Sequence, residues 1–275
     1  VRQTQKERDK MIHESQDLTN FIPPSIEELK TKSKALNYWF PSTFHGLDNV
    51  DENRPALYVG NHTLMGHDVP PLVLGLYTQK NIYLRGVADR VHFRIPIWKT
   101  LVKKFGGFEG TRPSIHELMV HRKHILIYPG GGREVMKNKG EAYQLFWKNR
   151  FGFIELALEH GYDIIPFAGV GGEEMLDLKY DSNDFRKSLL GKGLARFGLM
   201  KYMRNGEGFV PLATGFLGLP FVPRRQALDY IFCPRIETKH IPKDQFESVK
   251  VELRQQVAEA IQRALVDRNV LPKCH

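Results

Sequence analysis

The chain has 275 residues, 41% hydrophobic and 26% charged, which describes a globular protein able to bury a substantial core as one α/β domain or two. Forty Lys and Arg against 31 Asp and Glu leave a net charge of +9, the balance of a chain that meets nucleic acid, an anionic membrane surface or a phosphorylated ligand. Two cysteines, Cys233 and Cys274, exclude a disulfide framework and a four-cysteine zinc site, and no run of 18 uncharged apolar residues exists to span a bilayer.

In chain order, residues 1–24 read as a polar, frayed leader with no signal-peptide pattern; Val1 stands where Met would open a chain, so an upstream anchor is left open. Ser25 and Glu28 form a capping-box pattern before a helix over residues 25–39, with an apolar face of Ile26, Leu29, Leu36 and Trp39. From residue 55 strand, loop and helix alternate. Strands are expected at 56–59, 81–84, 124–128 and 163–167, and helices at 68–77, 95–104, 143–160 and 244–267. Such alternation predicts a single α/β domain over 25–275, a mixed but mostly parallel sheet flanked by helices. An insertion covers about 179–225. Its first part, 179–204, carries seven positive and two negative charges with Phe185, Leu189, Leu190, Leu194, Phe197, Met200 and Met203 near helical spacing, as a basic amphipathic helix on a membrane would. Residues 209–222 then run uncharged and apolar, broken by Pro211 and Pro220. They suit an interface segment, an acyl-chain channel or a buried irregular stretch.

Nucleic acid is disfavoured: the sequence has no zinc-finger spacing, RNA-binding aromatic signature or basic-region heptads. P-loop and G-x-S-x-G patterns are also missing, and neither cysteine has an activating neighbour. His116, His121 and His124 form H-E-x-x-x-H, not the zinc-protease spacing, so no metal is expected.

The informative segment is GNHTLMGHDVPPL, residues 60–72. A strand ends at Gly60, Asn61 and His62 follow on a loop, and Asp68 opens the next helix. Reactive groups sit at the carboxyl ends of strands in such sheets, and a histidine beside a carboxylate is a general base with a fixed tautomer. On one continuous helix the six-residue gap would set the pair about 240° apart, so the pairing requires residues 60–67 to be loop. His67, next to Asp68, is a competing base.

Asn-His followed by Asp resembles the first motif of the glycerolipid acyltransferases, here as H-x5-D where the family usually has H-x4-D. Gly106 to Arg112 (GGFEGTR) is similar to the second motif, and YPGGGRE, residues 128–134, to the third, with Gly130 where the acidic residue normally stands. Glu134, after the arginine, resembles the neutral-lipid, diacylglycerol acyltransferase-type branch. Residues 164–167 (IIPF) resemble the fourth motif. The resemblance spans about residues 55–170. It implies acyl transfer from acyl-CoA or acyl carrier protein to a lipid hydroxyl (a lysophospholipid, diacylglycerol or long-chain alcohol), with no tightly bound cofactor. It implies His62 as base and Asp68 as its partner, and assigns substrate binding to Asn61, Arg112, Gly130, Gly131, Gly132, Arg133 and Glu134. From the residues alone, the glycine run offers backbone amides for an anion and Arg133 a fixed charge for phosphate. Tyr143, Trp147, Lys148 and Arg150, at the start of the expected helix over 143–160, suit the adenine or pantetheine end of CoA. The expected setting is the cytoplasmic face of a membrane, with an anionic surface as partner. Two other readings keep the same scaffold: a lipid esterase with His62 activating water, and a non-catalytic lipid or acyl-CoA binder.

Overall fold

The structure, a computed structural model, describes residues 18–198 and 209–269. A seven-stranded sheet forms its centre. The strands are β1 (Ser42–His45), β2 (Ala56–Gly60), β3 (Arg85–Ala88), β4 (Phe108–Glu109), β5 (Ile125–Ile127), β6 (Asp163–Val170) and β9 (Leu228–Phe232), ordered β1-β9-β6-β2-β5-β3-β4. Every neighbouring pair is parallel except β6 with β9. Two short strands, β7 (Asp177–Tyr180) and β8 (Leu212–Thr214), form a separate antiparallel ribbon.

Strand β2 shows why the sheet needs cover on both faces. All five of its residues are buried. Leu57 and Val59 join one core with α6 (Arg112–Val120), α8 (Gly152–His160) and α11 (Phe246–Asp267), while Ala56 and Tyr58 join another with α3 (Val69–Lys80). The period of two divides one strand between two layers. Helix α11 matches its expected bounds within two residues, and its buried Leu253, Val257, Ile261 and Ala264 fall on one stripe.

Several expectations shift. The helix over 25–39 is two helices, α1 (Ile26–Lys32) and α2 (Lys34–Trp39), meeting at Ser33; the Ser25 hydroxyl accepts from the Glu28 amide as foreseen. No strand forms over 81–84. Asn81 takes a left-handed conformation to end α3, and the ladder starts four residues later at Arg85. The helix expected over 143–160 is helical only from Gly152, because Tyr143 and Lys148 both have positive φ. Of the expected leader, residues 1–17 lie outside the described residues; the Leu18 carbonyl accepts from the Arg85 guanidinium at 2.7 Å and Phe21 packs on Tyr83, so this part is docked rather than frayed. In the insertion, α9 (Ser182–Lys187) and α10 (Leu189–Arg196) replace one continuous helix, and residues 199–208, with Met200 and Met203, lie outside the described residues. Between β3 and β4 stand α4 (Arg90–Arg94) and α5 (Pro96–Lys104).

Candidate active site

Strand β2 lies between β5 and β6, so the connection from β5 to β6 crosses it. Crevices outside the carboxyl ends of strands, where the winding changes side, are where open α/β sheets bind ligands. His62 follows β2 by two residues. Residues 61–68 are not helical beyond one 3-10 turn over Leu64–Gly66, inside which Met65 and Gly66 have φ of 59° and 69°. This loop satisfies the condition on which the His62–Asp68 pairing depended.

The His62 main chain is held at both ends. Its N–H donates to Glu134 Oε2 at 2.9 Å, and its carbonyl accepts from Lys137 Nζ at 2.6 Å. The ring stacks on Tyr128 with centroids 4.0 Å apart and planes 11° off parallel. Gly66 closes the other side, where a Cβ would stand 2.9 Å from His62 Cε1. A side chain gripped in this way is held in place with little freedom to reorder.

Asp68 sits immediately before α3 and is buried. Its Oδ1 accepts from the Thr63 hydroxyl, and its carbonyl accepts from the Tyr230 hydroxyl at 2.6 Å. The other oxygen, Oδ2, is buried without a hydrogen-bond partner, and so is Nδ1 of His62. The two groups whose pairing the sequence foresaw are thus the two left unpaired here, and no hydrogen bond joins them. Burial first, then the charges of Lys137 and His92, lowers the His62 pKa to about 3, so the imidazole is neutral at physiological pH. Burial raises Asp68 to about 6 against the opposing hydrogen bond from Thr63. His67 turns away from this pair, with a hydrogen bond to the Phe221 backbone, and burial lowers its pKa.

The remaining foreseen residues take other work. Asn61 is fully buried, and its amide bridges the Gly169 backbone, donating at 2.9 Å and accepting at 2.8 Å; it extends the β2–β6 pairing and does not face a ligand. Glu134 is also fully buried and accepts from the amides of His62 and Phe146, both at 2.9 Å. It ties the glycine turn to the His62 loop. Gly130 is glycine because a Cβ there would lie 2.0 Å from the Glu134 carboxyl carbon. The Gly131 amide donates to Tyr128 O at 2.9 Å, and the helix that follows, α7 (Gly132–Val135), is only four residues long. The turn is therefore a scaffold before it is an anion cradle. Arg133 pairs with Glu141 at 2.6 Å and lies 4.0 Å over the Phe146 ring, so its charge is already answered within the chain. Arg112 is paired twice, with Glu155 at 3.2 Å and with Glu159. Tyr143 and Trp147 are core residues: the Tyr143 hydroxyl donates to Glu174 and accepts from the Gly171 amide, and Trp147 packs edge-on against Phe153. That corrects the expectation that they meet CoA.

Three contributors were not named from the sequence. Thr63 holds Asp68, Lys137 is a buried lysine paired with Glu173, and Tyr128 supplies the stacking face. Position alone pointed to Thr63, inside the NH-x5-D segment, and to Tyr128, which opens YPGGGRE; nothing pointed to Lys137. A cleft of about 960 Å³ opens beside the turn, walled by Asp89, Arg90, Arg94, Ile127, Tyr128 and Gly131 among others. Arg112 and Arg150 also line it. Tyr128 is thus common to the cleft wall and to the His62 stack. Among the described residues there is no cluster of three metal-ligating side chains.

In this geometry an imidazole and a carboxylate, each with a buried unpaired atom, share one loop, the two group types that a proton transfer requires. Comparison with known proteins agrees with the class. Residues 41–170 match the Acyltransferase family model. The chain is 32% identical over 94% of its length to phytyl ester synthase 2, chloroplastic, of Arabidopsis thaliana, and 29% identical over 93% to phytyl ester synthase 1 of the same plant, spanning 41% and 40% of those proteins. It is 25% identical over 84% of its length to the Bos taurus protein named DGAT1/2-independent enzyme synthesizing storage lipids, and spans 65% of it. The chain thus covers less than half of the plant relatives it matches. Residues 41–170 thus match the Acyltransferase family, and over most of its length the chain is similar to proteins named for making phytyl esters and storage lipids.

Proposed function

We propose that the chain transfers a fatty acyl group from an acyl thioester, of CoA or acyl carrier protein, to the hydroxyl of a neutral lipid alcohol. The observation that carries this reading is His62 at the exit of β2, its main chain gripped at both ends, with its Nδ1 and the Asp68 Oδ2 of the same loop both buried and unpaired. His62 takes the proton of the lipid hydroxyl as its oxygen attacks the thioester carbonyl. The new C–O bond forms, the C–S bond breaks, and the departing thiolate recovers the proton from the imidazolium. Asp68, ionised above about pH 6, stabilises that imidazolium through Oδ2 once the pair closes. Direct transfer needs no acyl-enzyme, in keeping with Cys233, whose buried thiol is pushed up to about 11.

Two observations favour a neutral acceptor over a phosphorylated one. Arg133 and Arg112, the cations expected to hold an acceptor phosphate, are both engaged by carboxylates. The plant relatives are named for phytyl esters, products of a long-chain alcohol. Arg150, on the cleft wall against Gly131, is better placed for the donor's phosphates. The chain meets its lipids at a membrane surface: Leu189, Leu190 and Phe197 on and after α10, and Leu217 and Leu219 in the 209–222 segment, are exposed. No helix among the described residues is long and apolar enough to cross a membrane.

Purified wild type and His62→Ala, given radiolabelled acyl-CoA or acyl carrier protein with phytol, diacylglycerol and lysophosphatidate, test the reading. It predicts labelled ester with phytol or diacylglycerol, lost in the variant. Free fatty acid alone would establish the esterase, and silence in both proteins a binding role.

A further inference from the structure

Helix α5 carries a pattern that the fold does not use. At about 100° per residue, Ile97, Leu101, Phe105, Trp98 and Val102 fall within an arc of about 140°, and Lys99, Lys103, Thr100 and Lys104 fill the opposite arc. A stripe of this kind ordinarily faces a core, yet no residue of α5 is buried. Ile97 is 83% exposed, Trp98 50% and Phe105 52%, and Val91 on the preceding α4 and Ile95 just after it continue the surface. Between residues 89 and 105 there are five Lys or Arg against one Asp.

We infer that α4 and α5 form the docking face on which this chain sits on an anionic lipid bilayer, its apolar stripe in the headgroup boundary and its cations on lipid phosphates. Charge selects this occupant. A protein-facing stripe of this size would be matched by acidic or apolar neighbours, whereas here lysines and arginines flank it, with Arg90 paired to Glu109 at 3.3 Å, and an exposed tryptophan lies on it, the composition that favours a membrane interface. Position gives the face a purpose. Asp89, Arg90, Val91 and Arg94 of the same hairpin wall the 960 Å³ cleft, so docking would bring the cleft mouth to the lipid that supplies the acceptor. The inference deepens the acyl-transfer reading, but its test reads binding and not turnover.

The test is partition onto vesicles of phosphatidylcholine alone and with 30% phosphatidylglycerol, by sedimentation, with bromine-labelled lipid as a quencher. Of three tryptophans, Trp147 is buried and Trp39 is half-buried against Phe216, so the difference between the native protein and Trp98→Phe reads Trp98. Quenching of the native protein on anionic vesicles is expected, and its loss in Trp98→Phe. Ile97→Asp with Leu101→Asp should lower the partition coefficient at least tenfold, while Val251→Asp on the exposed side of α11 leaves it unchanged. The inference is overturned if Trp98 is not quenched, or if the double variant partitions like the native chain. It is equally overturned if the double variant only converts a dimer to a monomer, which would make α5 a contact between copies. Acyl transfer to a detergent-dispersed acceptor reports the catalytic reading independently.

Discussion

Replacing Thr63 with valine keeps the branched shape and removes the hydroxyl that donates to Asp68 Oδ1. That bond favours the ionised carboxylate against a burial that has already raised its pKa to about 6. A hydrogen bond to a charged group contributes about 1.5–3 kcal/mol, and about 1.4 kcal/mol corresponds to one pKa unit. Thr63→Val should therefore move Asp68 to about 7–8, so that at pH 7 the ionised fraction falls about two- to tenfold. If ionised Asp68 supports the His62 base, the acid limb of kcat/KM, near pH 6 in the native protein, moves up by one to two units and activity returns by about pH 9. The assay is ester formation from labelled acyl donor across pH 5–9.5, with circular dichroism to confirm the fold. An unmoved acid limb in a folded variant would refute the role given to Asp68. So would an equal loss at every pH.

Gly130→Ala would drive a methyl group into the Glu134 carboxyl; the displaced Glu134 releases the His62 amide, and we expect about 1–3 kcal/mol lost in urea unfolding with at least tenfold lower activity. Arg133→Ala should lower the melting temperature with KM for the donor unchanged, since Arg133 serves Glu141 and Phe146, whereas Arg150→Ala should raise that KM with little effect on melting. His62 is held near 3 against an ordinary 6.5. The unfolded chain therefore binds a proton that the native one refuses between those values, and His62 costs native stability as pH falls through that window. His62→Gln should accordingly become more stable relative to the native protein between pH 6.5 and 4.5 in chemical denaturation, and a constant difference would contradict the burial argument.

The elements legible in sequence were those whose burial is written in consecutive residues. Strands β2 and β6 are near-continuous apolar runs, and α11 keeps one buried stripe from Leu253 to Leu265. β3 was misplaced because Ile82 and Leu84 are buried without joining the ladder, while the first ladder residue, Arg85, is a cation buried only because the carbonyls of Gly106 and Leu18 accept its protons. The stretch before α8 resembles a helix in composition, but Trp147 and Tyr143 are drawn inward by tertiary contacts that force positive φ at two positions. At the site, the position of His62 and the loop that frees Asp68 followed from spacing. Their partners did not: Arg133 meets Glu141 eight residues on, and Lys137 meets Glu173 thirty-six residues on, distances with no periodic signature. Charge in a sequence tells that a group can bind an anion. Only the fold tells whether a carboxylate of the same chain has taken the place.

The central claim is direct transfer driven by one imidazole, and a single-turnover rapid-quench measurement tests it most closely. With enzyme in excess over labelled acyl donor and saturating lipid alcohol, donor loss and ester formation should share one rate constant. No label should remain on the protein, and His62→Ala should be slower by about 10²–10⁴-fold, the range of general base catalysis. Label accumulating on the protein before ester forms, or a His62→Ala rate equal to the native one, would contradict the account.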